Sequence, residues 1–422
     1  TAFAYRREFR QDVLIDLVGY RRYGHNEGDE PSFTQPVMYR QIESHPSVRA
    51  LWAETLRSRG LVDGALPEAL VRQGMEELRR TVDSLEPERS LIEPLPEPPP
   101  PGAARHAHTA VPLDELRELN RALLARPEGF HVHRKLERAM ARRQRVLDDP
   151  DAATVDWATA EDLACASILA DGVPIRFTGE DVVRGTFSQR HAAFYDTETG
   201  AVTIPLQTLP QARASYEIHN SPGTEAATLA FEFGYNVQAP ERLVIWEAQY
   251  GDFVNVAQAV VDEFIASSRA KWGMTPSLVL LLPHGNEGQG PDHSSARPER
   301  WLELAAETNL RLASPTNAAQ LFHLLRRQAI LLKTDPLPLV VLTPKGLLRH
   351  PMTASAPRAL AEGSWKPVMA GPDAGEATTH LVLTSGRFSV DLANAAGGAA
   401  MPWVTLARLE QLYPFPQDEV AA

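Results

Sequence analysis

The chain of 422 residues is long enough for two or three domains, and with 43% hydrophobic and 23% charged residues it has an ordinary globular composition. A formal net charge of -12 disfavours nucleic acid or an anionic membrane as the main partner, because both bind basic surfaces. The single cysteine, Cys165, excludes an internal disulfide bond and fits a reducing compartment. Only five of the 42 basic residues are lysine, an arginine bias typical of a GC-rich genome. We therefore expect a bacterial cytoplasmic protein, or a mitochondrial matrix protein if the source is eukaryotic.

The first hundred residues are predicted to contain helices and one apolar strand. Residues 1–12 indicate the end of a helix, and residues 13–20 (VLIDLVGY) predict a strand buried on both faces. A polar loop then leads to further helices up to about Leu85. A strand of this kind belongs inside a sheet, and no neighbouring strand precedes it. Because the chain also opens without Met, we expect it to be a fragment of a longer protein.

A proline-rich run follows these helices. The letters PLPEPPPPG cannot form the interior of a helix, so they predict an extended, semi-rigid connector. Residues 113–147 return to a helical pattern. We therefore predict a first part with its connector at residues 1–103 and a helical linker at residues 104–150.

From Val155 onward, helices alternate with short apolar strands. This alternation predicts an α/β fold with a mostly parallel sheet over residues 151–350. A further, incomplete α/β unit is expected over residues 351–422, with a final helix after Pro416. The predicted helices span residues 163–169, 226–233 and 256–266, and the predicted strands span residues 174–178, 243–246, 277–282, 380–384 and 404–406.

Three loops that follow predicted strands are rich in glycine, histidine and acidic residues. They read GEDVVRGTFSQRH, EAQYGDF and PHGNEGQGPDHSSAR. In a parallel α/β sheet, functional groups sit in loops that leave the carboxyl ends of the strands. The sequence therefore predicts an active site at this sheet edge, with the ionisable residues Glu180, Asp181, Arg190, His191, Glu247, Asp252, His284, Glu287, Asp292 and His293. No cysteine or histidine cluster has metal-ligand spacing, and the glycine-rich loop is not a Walker or dinucleotide motif.

The same loops carry a resemblance that runs essentially end to end. The strings YRRYGHNEGDEPSFTQP, PEGFHVHRKLERAM, RGTFSQRH, WEAQYGDF, PHGNEGQGPDHSSARPER, LLRRQA, TPKGLLRHP and ARLEQLYPFP resemble the thiamine-diphosphate-dependent decarboxylating component of 2-oxoglutarate dehydrogenases. The resemblance implies a transketolase-like fold. Residues 1–103 would include the tail of its diphosphate-binding domain, residues 151–350 its pyrimidine-binding domain, and residues 351–422 its C-terminal α/β domain. The family's Gly-Asp-Gly…Asn motif for Mg²⁺ is absent, so the Mg²⁺ ligands are expected in an upstream segment.

Glu225 is the main catalytic candidate. As a residue at the start of a helix, it could simply be an acid favoured by the helix dipole. The resemblance implies a buried, hydrogen-bonded carboxylate that binds the pyrimidine nitrogen of the cofactor and drives its proton exchange.

The histidines of the loops are also candidates. His284 and His293 are either capping or surface groups or, as the resemblance implies, catalytic residues that bind substrate. His25 is either hydrogen-bonded within its own turn or, by resemblance, lies beside the cofactor and the acyl acceptor. For His191, substrate contact, phosphate contact and bonding to Asp181 all stay open. Tyr250 and Phe253 are either core aromatics or contacts of the aminopyrimidine. Glu180 is also a candidate for cofactor binding. Arg349 and Arg408 are interpreted as structural or regulatory anion contacts, and His131 and His133 as packing residues.

The implied activity is oxidative decarboxylation of 2-oxoglutarate, with the succinyl group passed to a lipoyl group of dihydrolipoyl succinyltransferase. The resemblance implies a homodimer, because cofactor sites of the superfamily lie between subunits. A 2-oxoadipate dehydrogenase, a carboligating 2-oxoglutarate decarboxylase and an inactive fragment that acts as an interaction module are the alternatives.

Overall fold

The computed structural model describes residues 1–86, 103–371, 378–396 and 403–421. The chain forms two compact units, Thr1–Pro94 and Leu95–Ala422. The predicted proline-rich connector, residues 94–102, lies outside the described residues. The finer division at residues 103, 150 and 350 stays a prediction.

The described part of the first unit is helical. Ser47 caps the helix Val48–Ser58, since its side chain accepts a hydrogen bond from the backbone N–H of Ala50 at 3.3 Å. Within residues 1–86 the buried apolar residues are Tyr39, Ile42 and Ala53. The helices are α1 Ala2–Phe9, α2 Pro36–Ser44, α3 Val48–Ser58 and α4 Leu66–Ser84.

The strand predicted at residues 13–20 is wrong. These residues form neither helix nor strand, and Leu14 and Leu17 are each 91% exposed. The physical reason is that strands exist through hydrogen bonds to neighbouring strands, and residues 1–86 contain no strand to pair with. An apolar sequence favours a buried strand but does not provide the sheet.

The second unit is built on a seven-stranded sheet in the order β12-β7-β8-β6-β5-β1-β4. The pairs from β7 to β4 are parallel, and only β12 joins antiparallel, on β7. This confirms the predicted α/β fold with a mostly parallel sheet. The strands are β1 Ile175–Gly179, β2 Phe194–Tyr195, β3 Val202–Thr203, β4 Tyr216–Asn220, β5 Leu243–Glu247, β6 Val279–Pro283, β7 Arg311–Ala313, β8 Leu339–Thr343, β9 Val368–Ala370, β10 His380–Thr384, β11 Val404–Leu409 and β12 Gln411–Tyr413.

Helices cover both faces of this sheet, which is why its central strands are apolar throughout. All five residues of β5, β6 and β8 are buried. Side chains alternate between two cores: Ile245 packs in the cluster that contains α7 and α12, while Val244 and Trp246 pack in the cluster that contains α8. The helices are α5 Leu113–Leu123, α6 Arg134–Arg143, α7 Trp157–Ala170, α8 Glu225–Gln238, α9 Gln258–Val260, α10 Ser268–Trp272, α11 Pro298–Leu304, α12 Ala318–Leu331, α13 Pro357–Ala361, α14 Gly386–Ala396 and α15 Gln417–Ala421.

A smaller sheet follows the main one. Its order is β10-β11-β9, with β10 parallel to β11 and β9 antiparallel to it. The chain then returns to the main sheet through β12, so Glu410 lies at the junction of the two sheets. No helix among the described residues is long and apolar enough to cross a bilayer.

The helix predicted at residues 256–266 is only partly right. The structure has a 3-10 turn at Gly251–Ala257, one short α-helical turn, α9, and a π turn at Val261–Ile265. The helical pattern of residues 113–147 is likewise divided, into α5 and α6.

Candidate functional site

Four adjacent parallel strands end at the same sheet edge, which brings their following loops together. These are β8, β6, β5 and β1, neighbours in that order. The loop after β1 turns at Gly179, where φ is 156° and a Cβ would collide with the backbone oxygen of Glu247. A side chain at this position would separate β1 from the end of β5, so glycine is required.

The loop after β6, residues 284–297, holds both candidate histidines and is called here the histidine loop. The Nδ1 atom of His284 accepts a hydrogen bond from the backbone N–H of Ala296 at 3.0 Å. The neutral imidazole therefore carries its proton on Nε2. Burial lowers the pKa of His284, and the positive charge of Lys345 lowers it further. His284 is thus uncharged at neutral pH, with one N–H to offer a ligand.

His293 lies against aromatic rings from the loop after β5. Its ring centroid is 4.3 Å from that of Tyr250 and 5.5 Å from that of Phe253, in edge-to-face arrangements. Phe187, from the loop after β1, meets Tyr250 at 5.6 Å. Three of the predicted loops therefore meet, and Tyr250, Phe253 and His293 are all half-buried at this meeting point. An aromatic surface with a polar edge is suited to a flat heterocycle.

Asp252 and Gly251 join the loop after β5 to the histidine loop. The buried carboxylate of Asp252 accepts a hydrogen bond from the backbone N–H of Ser295 at 2.7 Å. Gly251 is packed so closely that a Cβ would lie 2.5 Å from the Cβ of Ala296. The position of the histidine loop thus depends on these two contacts.

A buried charge cluster underlies the loop after β1. The guanidinium of Arg190 binds both carboxylate oxygens of Glu247, at 2.8 and 2.9 Å, and also forms an ion pair with Glu161 from α7. All three residues are at most 6% exposed. Arg190 and Glu247 were predicted at an active edge, but they are used structurally here. The contribution of Glu161 was not foreseen, since it lies on a different element.

His191 has no hydrogen bond to this charge cluster. Its Nε2 lies 3.0 Å from the hydroxyl of Ser188, and it lines a cavity of about 150 Å³ with side chains from α5, α6 and α7. Burial lowers the pKa of His191. Asp181 instead contacts Arg184 and Gln249, both at 3.3 Å. Of the alternatives for His191, bonding to Asp181 is therefore absent from this structure.

Glu225 is the first residue of α8, where the N-cap Thr224 accepts a hydrogen bond from Ala227 at 3.3 Å. The expectation of a buried, hydrogen-bonded carboxylate is not met within the described residues. Glu225 is half-buried and its carboxylate has no hydrogen-bond partner there. The reason is that a helix N-terminus at a sheet edge is open unless something covers it. Glu180, at the end of β1, is exposed and has no side-chain hydrogen bond within the described residues either.

His25 belongs to the first unit, Thr1–Pro94. The His25 side chain is exposed, and its backbone N–H donates to the carboxylate of Asp29 at 2.6 Å. The other residues interpreted as structural have local partners. Arg349 donates to the carbonyl oxygens of Phe187 and Ser188, at 3.0 and 2.7 Å.

Three further minor candidates also have local contacts. Arg408 contacts the sulfur of Met369 at 3.4 Å. His131 lies 3.8 Å from Asp196, and His133 caps α6.

Sequence reasoning missed Lys345, which follows β8 and reaches the histidine loop. Its ammonium donates to the carbonyl oxygen of His293 at 2.5 Å. The signal was available, because residues 339–343 (LVVLT) are about as apolar as the other buried strands, and the string TPKGLLRHP begins at the last residue of this stretch. Among the described residues, no group of three or more His, Cys, Asp or Glu side chains could hold a metal ion.

Comparison with known families agrees with this architecture. Residues 153–351 match the family described as transketolase, pyrimidine binding domain, and residues 1–90 match the family described as dehydrogenase E1 component. The chain thus combines part of an E1-type dehydrogenase component with a transketolase-type pyrimidine-binding domain.

Individual relatives narrow this class. The chain is 48% identical over 428 residues to the 2-oxoglutarate dehydrogenase E1 component of Geobacillus sp. (strain WCH70), covering 100% of this chain and 45% of that protein. It is 47% identical to the protein of that name from Geobacillus kaustophilus (strain HTA426), covering 99% of this chain and 45% of the relative. For Bacillus mycoides (strain KBAB4) the identity is 46%, with 99% of this chain and 45% of the relative covered. The chain is therefore similar along its whole length to 2-oxoglutarate dehydrogenase E1 components, and it spans about half the length of these curated relatives.

Proposed function

We propose that the full-length protein containing this chain oxidatively decarboxylates 2-oxoglutarate with thiamine diphosphate and passes the succinyl group to a lipoyl group of dihydrolipoyl succinyltransferase. The observation that carries this proposal is the similarity to 2-oxoglutarate dehydrogenase E1 components along the whole chain, 48% identity over 428 residues in one case. In this proposal the protein acts in the bacterial cytoplasm as a homodimer. The Mg²⁺ ligands lie elsewhere in the full-length protein.

The residues present fit the pyrimidine half of the cofactor. Glu225 offers a half-buried carboxylate without a protein partner in the described structure, and Tyr250 and Phe253 offer aromatic faces. When bound, thiamine diphosphate supplies a thiazolium that accepts the electron pair left by departing carbon dioxide. Glu225 would hydrogen-bond the pyrimidine nitrogen and exchange a proton with it. Glu180 is proposed as a further cofactor contact.

The histidines are proposed to bind the 2-oxo acid. The Nε2–H of His284 can donate to a keto or carboxylate oxygen, because its Nδ1 already accepts from Ala296. His293, which packs edge-to-face against Tyr250, is proposed to contact the substrate beside it. His191 is proposed as a more distant substrate contact, and His25 as a residue beside the cofactor and the lipoyl acceptor.

The test is Glu225→Gln in the full-length protein, assayed with 2-oxoglutarate and ferricyanide as acceptor. The amide keeps the shape of the side chain but cannot exchange a proton, so we expect decarboxylation to fall by about 10²–10⁴-fold. Cofactor affinity, measured by isothermal titration, should change little.

Glu115→Gln is the matched control, since Glu115 is an exposed acid in the first turn of α5. It should leave the rate unchanged. Near-wild-type activity of Glu225→Gln would remove Glu225 from this role. A wild-type preference for 2-oxoadipate would instead indicate a 2-oxoadipate dehydrogenase. Formation of a carboligated product would indicate a carboligating 2-oxoglutarate decarboxylase.

A further inference from the structure

Lys345 is a buried lysine at the meeting point of the strand-end loops. It lies two residues after β8 and is only 4% exposed. A buried ammonium group is costly unless it is paired and hydrogen-bonded. Its Nζ donates to the carbonyl oxygen of His293 at 2.5 Å and lies 5.8 Å from the ring centroid of Tyr250. One charged group therefore contacts two loops besides its own.

Burial lowers the pKa of Lys345 and the charge of Arg387 lowers it further, whereas the carboxylates of Glu287 and Asp252 act in the opposite direction. Glu287, within the histidine loop, accepts a hydrogen bond from the backbone N–H of Gly346 at 2.6 Å and pairs with Arg387 of α14 at 3.1 Å. Asp252 holds the other end of the histidine loop through Ser295. The two carboxylates that favour the charged form of Lys345 are thus the same groups that attach the histidine loop to its neighbours.

We infer that Lys345 is a positioning residue, which holds the histidine loop so that His293 packs against Tyr250 and His284 keeps its hydrogen bond to Ala296. That the loop serves decarboxylation rests on the proposed function; that Lys345 orders the loop does not. The residue acts through the histidines, because its ammonium is already bonded to protein and is buried.

Lys345 also acts on His284 through charge. Burial lowers the pKa of His284 first, and the charge of Lys345 lowers it further, whereas Asp252 and Glu299 act in the opposite direction. When the charge of Lys345 is removed, Asp252 and Glu299 still act on His284, and the pKa of His284 rises. If neutral His284 is the active form, the acid limb of the pH profile must then move to higher pH.

The kinetic experiment compares Lys345→Met and Lys345→Arg in the full-length protein. Lys345→Met keeps much of the length and loses the charge, so we expect kcat/KM for 2-oxoglutarate to fall about 10²-fold. The acid limb of its pH profile should move to higher pH. Lys345→Arg keeps the charge, and its acid limb should stay in place. Lys333→Met, at an exposed lysine after α12, is the control and should match the wild type.

A second readout does not need activity. Hydrogen–deuterium exchange of peptides covering residues 284–297 should be faster in Lys345→Met than in wild type and in Lys333→Met. If the wild type fails to decarboxylate 2-oxoglutarate, the proposed function is wrong, while the exchange rates still test Lys345. Wild-type exchange together with an unmoved acid limb in Lys345→Met would overturn the inference.

Lys345→Arg keeps the inference testable if Lys345→Met does not fold. The guanidinium is larger than the ammonium and does not fit the same buried position beside the His293 carbonyl without moving the loop, so exchange in residues 284–297 should still rise. Unchanged exchange in Lys345→Arg would then overturn the positioning role.

Discussion

The absence of a Cβ at Gly251 sets the spacing between the loop after β5 and the histidine loop. An alanine there would place its Cβ 2.5 Å from the Cβ of Ala296 and 2.7 Å from the carbonyl oxygen of Pro283. Neither neighbour is the flexible end of a long side chain, so the loops must separate. We expect Gly251→Ala to lower the free energy of unfolding by about 1–3 kcal/mol, measured from urea denaturation.

Gly234→Ala is the matched control, and it should change the free energy of unfolding in the opposite direction. Gly234 lies exposed within α8, and a Cβ there would meet no atom within 4 Å. Alanine in an exposed helix interior stabilises by about 0.5–1 kcal/mol relative to glycine. If both substitutions shifted the urea midpoint in the same direction, close packing at Gly251 would not be the cause.

At the residue scale, sequence predicted which side chains meet but not how they are paired. His293 and Tyr250 come together because parallel strands deliver their loops to one edge, a rule that the strand pattern alone can apply. Arg190 could not be interpreted in the same way. Its partner Glu161 lies 29 residues earlier, on α7, and only the packing of that helix brings the two together. Short-range pattern contains no information about such a pair.

At the element scale, strands were predicted from apolar runs of sequence. The prediction failed where an apolar run has no neighbouring strand to form hydrogen bonds with. β5 and β6 were predicted because residues 243–246 and 278–282 are apolar runs, and in the structure every residue of both strands is buried. β4, by contrast, is an outer strand of the sheet that includes Glu217 and His219, and its alternating burial gives a weak signal. Residues 13–20 have the strong signal without the partners.

Glu410 links two elements, the small sheet and the start of α12. Its buried carboxylate accepts hydrogen bonds from the backbone N–H of Thr316, at 2.7 Å, and from the Thr316 hydroxyl. Burial raises the pKa of Glu410 from 4.5 to about 7, against the opposing effects of Thr316 and Arg408. The folded state therefore holds a proton that the unfolded state has lost.

The sign of the resulting pH dependence follows from this proton. Between pH 4.5 and about 7 the folded state binds more protons, so the contribution of Glu410 to stability falls as pH rises. We expect Glu410→Gln to be more stable than wild type at about pH 8, by roughly 3 kcal/mol at most, and less pH-dependent. Urea midpoints at about pH 5 and pH 8 measure this. The exposed Glu303→Gln should retain the wild-type slope; an unchanged slope in Glu410→Gln would contradict the assignment.

At the scale of the whole molecule, the two units differ in how they protect their backbone. In the first unit, Leu14, Leu17 and Val18 are between 84% and 91% exposed and lie outside helix and strand. In the second, every residue of β5 is buried. A protease binds extended, accessible chain. We therefore expect brief chymotrypsin treatment of the 422-residue chain to cut residues 13–23 before it cuts β5, β6 or β8, as identified by mass spectrometry of the fragments.

The second unit provides the internal comparison for this digest. Fragments ending within β5, β6 or β8 should appear only after the first unit has been degraded. Early cleavage inside the main sheet, or a first unit that survived, would contradict the difference in protection.

The helix α4 has 19 residues and none of them is buried. Ordering a residue costs about 1–2 kcal/mol in backbone entropy, whereas burying a large apolar side chain returns about 1.5–3 kcal/mol. With Tyr39, Ile42 and Ala53 as the buried apolar residues in the described part of the first unit, burial within it offsets little of that cost. The order of these helices is then an equilibrium governed by mass action. A partner that binds only the folded first unit would raise the apparent melting temperature of that unit as its concentration rises. The melting temperature of the second unit should stay constant.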